Sequence, residues 1–465
     1  MHTEAETNPI SPLAHREFRL LLCAQICSLL AVGLLTVAVA LVAWRLGGEA
    51  AGGRILGLLL ALKMVAYVVL APLAEPLFAK RSRKHSMIIL NAGRLLLVLP
   101  MSFATSTWQI AILLFAFFAL TAAFTPLFQS LIPDMLTDDD SYSRALAWSR
   151  IAYTLESIMS PVIAAILLPF VEPAGLFVLA AVMLGVSALL IVATHFPQRP
   201  SVGNQEHFLK RALKGMNVFW QTPRLGGLFL LNLALSMSMA WVLVNTVVYA
   251  GGRLQDAEGS FPLLMLFYGL GAAACALLVP RLITRIGERR VILFGVFGFA
   301  AVGITLVCMT LIPVLSMPSV EVERQAPSMA VLFLIWAGFG FASSLVITPG
   351  GLVIKRSAPP STRPSLFAAQ FSLSHAGWMI AYPLAGWLAG IVSLELALLL
   401  LCAVSILIAV VASFVWPADD TAEREHEHPE LPADHPHLTE NPTAGPGHRH
   451  IHVYYIDELH PRWVD

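Results

Sequence analysis

The chain has 465 residues, of which 57% are hydrophobic and 12% are charged, and its formal net charge is zero. Soluble domains carry about 25% charged residues, so this composition excludes an ordinary water-soluble fold and predicts that lipid covers much of the surface. The neutral total combines two parts of opposite sign, because residues 417–465 hold eleven acidic residues against three arginines and the remaining chain is basic.

Apolar segments of membrane-crossing length, about 20 residues each, fill residues 18–416. Over such lengths in lipid an α-helix satisfies its own backbone hydrogen bonds, whereas an open strand does not. We therefore predict an all-α membrane protein of twelve transmembrane helices in two pseudo-symmetric six-helix halves, followed by a disordered cytoplasmic tail. The predicted spans are 18–45, 54–79, 86–106, 109–131, 144–170, 174–196, 225–250, 260–284, 290–315, 328–354, 365–391 and 394–416.

Basic residues are divided unequally between alternate loops. Seventeen lysines and arginines fall in the loops on the side of the chain ends, and four fall in the opposite loops: Arg45, Arg54, Arg253 and Arg324. Positive charge accumulates on the cytoplasmic side of a membrane. The pattern predicts a multi-pass protein of the inner (plasma) membrane with a cytoplasmic N-terminus (1–17), linker (197–224) and tail (417–465).

Short motifs recur at a separation of a little over 200 residues. Thr125-Pro126 is matched by Thr348-Pro349, and Ser160-Pro161 is matched by Tyr382-Pro383. Two repeated six-helix halves, 18–196 and 225–416, are typical of secondary transporters, in which substrate is handled between the halves near the middle of the membrane. In the linker, residues 208–214 predict either a short basic amphipathic helix along the inner leaflet or a plain connection.

Three ionisable residues fall near the centre of predicted spans, namely Lys63, Glu156 and His375. At 1.5 Å per residue each is about 15–18 Å deep, where a charged side chain costs about 3 kcal/mol. Lys63 and Glu156 are expected either to form a static ion pair or to be functional, with Glu156 exchanging between Lys63, a proton and a metal ion. His375 is either a packing residue or a transport ligand and proton relay.

Two arginines lie closer to the predicted cytoplasmic side of the spans. Arg94 and Arg150 are expected to act in gating or packing, by snorkelling to the surface or by pairing with Asp134 or the acidic run 138–140. We group them with Lys63, Glu156 and His375 as candidates for transport and proton coupling.

The loop after span 2 resembles a motif of the major facilitator superfamily, Gly-x-Leu-x-Asp-Arg-x-Gly-Arg-Arg. The chain keeps Leu77, Lys80, Arg83 and Lys84, and it has Glu75, Ala79 and Ser82 at the glycine and aspartate positions. A second copy after span 8 keeps Leu282, Arg285, Gly287 and Arg289. The resemblance implies gating or packing roles for Glu75, Lys80, Arg83, Lys84, Arg285, Gly287, Pro161 and Pro383.

Span 5 is similar to the antiporter motif of the same superfamily, with Glu156, Ser160-Pro161 and Ala164 at its positions, which implies export. The segments 61–67, 124–129 and 149–153 are similar to the histidine-tailed nickel-resistance exporters of that superfamily, as is the end of the tail, 448–460. This narrower resemblance implies proton-driven export of a divalent metal ion, nickel and possibly cobalt, without a bound cofactor.

The tail itself contains eight of the fourteen histidines in the chain, and most stand in His-x-His arrays. Neutral imidazole is a good ligand for nickel, cobalt, copper and zinc. We predict that the tail captures, buffers or senses cytoplasmic metal, with these ligands: His426, His428, His435, His437, His448, His450 and His452. Its composition, rich in Pro, Glu and His, predicts a chain that is mobile without metal.

Other functions are weighed against metal export. No phosphate-binding loop or enzymatic constellation is found in the sequence, so an enzyme is not expected. No nucleic-acid surface and no obligatory protein partner are indicated; the expected partners are the metal ion, the proton and the lipid bilayer. The alternatives that remain are proton-driven efflux of an organic drug or metal chelate, and a membrane-anchored metal sensor.

Overall fold

A computed structural model of the chain describes residues 12–70, 82–135, 139–196, 208–316, 327–359, 362–418, 420, 423–428, 431–432, 435–440, 448–456, 459–460 and 463. Long helices dominate these residues, as the apolar runs require. By length and composition, eight of the described helices can cross a membrane. The structure is therefore that of an all-helical membrane protein.

The first helix, α1 (Arg16–Val65), contains the first predicted span and the first part of the second. It breaks at Gly48, where φ is +54°, a left-handed conformation that a side chain disfavours. The helix ends in a wide turn over Ala66–Leu70. The rest of the N-terminal half consists of α2 (Arg83–Met101), α3 (Thr107–Met135), α4 (Asp139–Leu167) and α5 (Pro173–Ala193).

The C-terminal half repeats this arrangement after the linker helix α6 (Phe208–Gln221), which is longer than the predicted 208–214. Gly215 of α6 lies directly against the backbone of Ser365, so the helix is packed on the bundle rather than being a plain connection. The helices that follow are α7 (Pro223–Arg253), α8 (Ala257–Ile286), α9 (Glu288–Ser316), α10 (Met329–Ile347), α11 (Gly350–Arg356), α12 (Arg363–Ile391) and α13 (Leu394–Val415).

The basic motif residues make the same contact in both halves. Lys84 Nζ donates to the carbonyl oxygens of Val192 and Thr194, at the end of α5, over 2.6 and 2.8 Å. Arg289, its counterpart in the second motif, donates to the carbonyls of Ser413 and Trp416, at the end of α13. A cation at a helix C-terminus satisfies carbonyls that have no helical partner. The internal repeat is therefore structural as well as sequential.

We call the side of the bundle that carries both chain ends the termini side, and the opposite side the far side. On the far side, α1 and α12 meet backbone to backbone at Gly53 and Gly386, and Gly57 lies against Tyr382. Arg45 also joins the halves there through an ion pair with Glu258, over 2.8 Å. Close backbone contact between glycines is the usual way in which membrane helices pack tightly, and here it seals the halves together on the far side.

The described tail residues include short regular elements. Strand β1 (Glu423–His426) pairs antiparallel with β2 (His450–Val453), and the short helix α14 (Pro436–Glu440) accompanies them. Leu438, Tyr454 and Ile456 are buried together with several histidines. Imidazole and tyrosine rings thus form the small core of the described part of the tail.

Candidate metal centre and transport path

Lys63 lies among aromatic rings where α1, α3 and α12 meet. Its Nζ is 5.0 Å from the ring centroid of Phe118 and 6.0 Å from that of Tyr67. Aromatic faces stabilise a cation in an apolar setting through their quadrupoles. Among the described residues Lys63 has no carboxylate within 4.0 Å, so the static ion pair with Glu156 is not formed in this structure.

Glu156 lies on α4 where this helix crosses α1. A Cβ atom added to Gly33 would come within 2.7 Å of the Glu156 carboxylate oxygen, and it would also collide with Ser160. Ser160 is one helical turn from Glu156, and its buried hydroxyl has no hydrogen-bond partner. The glycine thus makes room for the carboxylate and the hydroxyl between the two helices.

His375 of α12 contacts α1 of the other half. Its ring lies 5.4 Å from the Tyr67 ring and 4.0 Å from the Phe371 ring, measured between centroids. Nδ1 donates a hydrogen bond to the Phe371 carbonyl over 2.7 Å. A neutral imidazole that donates from Nδ1 keeps its lone pair on Nε2. The structure therefore brings Lys63 and His375 to the same tyrosine ring, at the boundary between the halves.

Arg94 does not snorkel, because its side chain is buried and only 1% of the residue is exposed. It donates to Ser28 over 3.0 Å and to Asn91, and its guanidinium lies 4.1 Å from the centroid of the Phe124 ring. Its partners are thus neutral, and the Nε atom has none. Arg150 lies on α4, and its side chain, like that of Asp134, is outside the described residues.

The remaining motif residues lie at helix ends and kinks. Glu75 and Lys80 fall outside the described residues, and Arg83 begins α2. Pro161 and Pro383 lie inside α4 and α12. Arg285 is in the last turn of α8, and Gly287 follows that helix with a φ of +81°, which allows the abrupt turn into α9.

The tail brings six histidines into one cluster: His426, His428, His437, His450, His452 and His460. Strand pairing places His426 opposite His450, and α14 supplies His437. His428 and His460 are 4% and 3% exposed, which is unusually low for residues in a polar tail. We call this group the histidine cluster. Two sets of four ligand atoms within it lie within 4.8 Å of one another, a spacing that suits a metal ion.

Burial, reinforced by the neighbouring imidazoles, lowers the pKa of His426 and His437 to about 4. At neutral pH both rings are therefore uncharged, which is the form that binds metal. No metal ion needs to displace protons from these two rings.

The sequence-based ligand list differs from the cluster at three positions. His460, which stands outside the His-x-His arrays, joins the cluster. His435 instead accepts a hydrogen bond from the His437 backbone through its Nδ1. His448 contributes its carbonyl oxygen, which accepts from His450. The sequence signal that was available for His460 is its place between the aromatic residues Tyr454 and Trp463.

The fold and these sites define a membrane transporter of the two-half type. The model for the Major Facilitator Superfamily matches residues 21–320 and 257–444, and the chain belongs to this superfamily. No curated protein matches the chain.

Solved transporters share its architecture. The nucleoside transporter NupG superposes with a TM-score of 0.68 at 11% identity, over 87% of this chain and 100% of that chain. A POT family transporter bound to a thioalcohol-conjugated peptide gives 0.67 at 11% identity, over 85% and 95%. A bacterial homolog of the human lysosomal transporter Spinster, in an inward-facing and unoccupied conformation, gives 0.63 at 13% identity, over 86% and 96%. At such identities the likeness concerns the fold.

Proposed function

We propose that this transporter exports a divalent transition metal ion, nickel or cobalt, from the cytoplasm in exchange for protons and so confers metal resistance. The observation that carries the proposal is the histidine cluster, since buried neutral imidazoles at this spacing suit a borderline metal ion better than any organic solute. The termini side is then the cytoplasmic side, in agreement with the distribution of basic residues.

In the proposed cycle the tail collects the ion and the path across the membrane carries it. The ion passes to Glu156 and the Nε2 atom of His375, which offer one anionic and one neutral ligand. Such a pair binds weakly enough to release the ion on the far side. The carboxylate of Glu156 then takes up a proton. With this side chain neutral, the transporter can return to the state that faces the cytoplasm. When the ion has left, the ammonium group of Lys63 is the other positive charge with which the Glu156 carboxylate can pair.

Transport in inside-out membrane vesicles tests the proposal. An acid-inside pH gradient should drive uptake of radioactive ⁶³Ni²⁺, and nigericin, which collapses that gradient, should stop it. Vesicles from cells without the protein are the control. Uptake that is equal with and without the protein would contradict metal export, and protein-dependent uptake that survives nigericin would contradict proton coupling.

A second candidate function is favoured by the rings around Lys63. Tyr67, Phe118 and Phe371 form an apolar aromatic surface between the halves, which suits an organic solute or a metal chelate. The solved transporters of the same fold include carriers of nucleosides and peptides. Protein-dependent efflux of an aromatic dye, with no uptake of ⁶³Ni²⁺, would favour this function. A protein that acts only as a metal sensor would transport neither the dye nor ⁶³Ni²⁺.

A further inference from the structure

The histidine cluster contains more imidazoles than an ordinary zinc site uses, and their arrangement is regular. Each ring centroid lies 4.4–5.4 Å from those of all the other rings except one. The excepted pairs are His426 with His437 (6.2 Å), His428 with His452, and His450 with His460. These pairs share no member. In an octahedron, likewise, each vertex adjoins all the others except the one opposite.

The ligand atoms give the scale of this octahedron. Nε2 of His437 lies 3.0 Å from that of His450 and 3.3 Å from that of His452. Nε2 of His460 lies 3.1 Å from those of His426 and His428. All of these are adjacent pairs. An octahedron with edges of this length has its centre about 2.1–2.3 Å from each vertex, close to a metal–nitrogen bond length.

The tautomers point the lone pairs at that centre. His426, His450 and His452 each use Nδ1 to donate to a backbone carbonyl, over 3.2, 2.8 and 2.8 Å. Their Nε2 atoms therefore carry lone pairs. A cation at the centre would satisfy all of them, and backbone carbonyls on the far nitrogen are the usual support of metal-bound histidines.

We infer that the cluster binds a single divalent ion through six imidazole nitrogens, and that this coordination favours nickel or cobalt over zinc. Octahedral nitrogen coordination suits high-spin Ni²⁺ and Co²⁺. Zinc in structural protein sites takes four ligands, so it would leave imidazoles unused. The inference rests on the proposed role of the tail in metal capture and specifies the ligand number and the ion class.

X-ray absorption of the purified full-length protein in detergent, loaded with Ni²⁺ alone, tests the coordination. We expect one nickel ion per chain with six nitrogen neighbours at about 2.1 Å and the multiple-scattering pattern of imidazole. Four-coordinate nickel, or two nickel ions per chain in the cluster, would overturn the inference.

Variants test which residues form the site. His460→Ala should lower the affinity for Ni²⁺ by about tenfold or more, and the affinity for Zn²⁺ should change little, because five imidazoles still supply four ligands. His428→Ala tests a second vertex in the same way. The matched control is His448→Asn, which removes a tail imidazole outside the cluster and suits the positive φ of 56° at that position.

Two results would refute the assignment of ligands: His460→Ala and His428→Ala binding Ni²⁺ as tightly as the unchanged protein, or losing Ni²⁺ and Zn²⁺ equally. The experiments also separate this inference from the proposed function. Six-coordinate nickel in a protein that moves no ⁶³Ni²⁺ would support the site and contradict the exporter. Protein-dependent nickel transport with four-coordinate nickel in the tail would support the exporter and contradict the six-coordinate site.

Discussion

Glu156 lies within a long helix of the bundle, with its carboxylate against Gly33 of α1. A carboxylate there is costly unless it is visited by a cation or a proton. The nearby Lys63 does not neutralise it by direct contact, since its Nζ faces aromatic rings instead. Glu156 is thus available to exchange a proton for a metal ion, which is the role proposed for it.

Glu156→Gln should lower the uptake of ⁶³Ni²⁺ driven by a pH gradient by about a hundredfold. The reason is that the amide neither takes up a proton nor compensates the charge of the nickel ion. The measurement is uptake in inside-out vesicles at equal protein content. Glu172→Gln is the control, since that carboxylate is exposed and makes only a loose surface pair with Arg45. Equal uptake by the Glu156 variant and the control would exclude the carboxylate from coupling.

His375 should act through its Nε2 atom, because Nδ1 is engaged by the Phe371 carbonyl. His375→Asn places a polar group near Nδ1 and leaves nothing at the Nε2 position. We expect the nickel concentration for half-maximal transport to rise about tenfold, and His375→Gln, which reaches further, to restore part of the loss. Unchanged half-saturation in His375→Asn would indicate that the ring has a packing role only.

Among the secondary-structure elements, α1 and α12 depend on glycines for their contact on the far side. Gly386→Ala should lower the free energy of unfolding by about 1–3 kcal/mol, because the new methyl group meets the backbone of Gly53. Thermal unfolding in detergent measures this. Gly351→Ala is the control, since nothing lies within 4 Å of its added methyl group. Equal stability of the two variants would contradict the close packing described here.

The strand pair of the tail should be sensitive to acid in the metal-free protein. His426 and His437 have a pKa of about 4 in the folded tail and 6.5 in a solvated histidine. The unfolded tail therefore binds more protons between these values, and stability falls as the pH falls from 6.5 to 4. Hydrogen exchange, corrected for its intrinsic pH dependence, should show lost protection at 450–453 and unchanged protection in α13. Constant protection of β2 down to pH 4 would refute this.

At the scale of the whole molecule, the tail is anchored to the C-terminal half. Asp420 and Arg224, at the start of α7, form an ion pair of 3.0 Å whose side chains are 3% and 8% exposed. Trp463 lies against the guanidinium groups of Arg224 and Arg424. The histidine cluster is therefore docked on the termini side of the bundle.

Asp420→Asn should release the tail, because removing one partner of a buried ion pair costs about 3–5 kcal/mol. We expect the nickel concentration for half-maximal transport to rise while the maximal rate is kept. The control is Glu427→Gln, whose carboxylate pairs with Arg449 at the surface. A fall in maximal rate without a change in half-saturation would contradict a capture role for the tail.

The sequence was sufficient for the helices, because membrane-length apolar runs leave few alternatives, and its basic motifs revealed the repeat that Lys84 and Arg289 confirm. It was insufficient for the histidine cluster. The His-x-His pattern gives no reason to separate His435 and His448 from the other histidines of the arrays. The register of the two strands decides which rings converge. His460 is brought in by tertiary contact with Tyr454. Likewise, counting residues from the span ends placed Lys63 and Glu156 at the same depth. It did not predict that Lys63 lies among aromatic rings.

The closeness of β1 to the end of α13 has a quantitative consequence. Trp416 and Glu423 are so near in sequence that even a fully extended chain between them reaches about 25 Å. An ion held by the tail is thus confined near the bundle at an effective concentration in the millimolar range. An ion that leaves the tail is then more often captured by the path, which raises the rate of transfer without changing the affinity of the path. Tight selection and rapid passage can then be assigned to different parts of one chain.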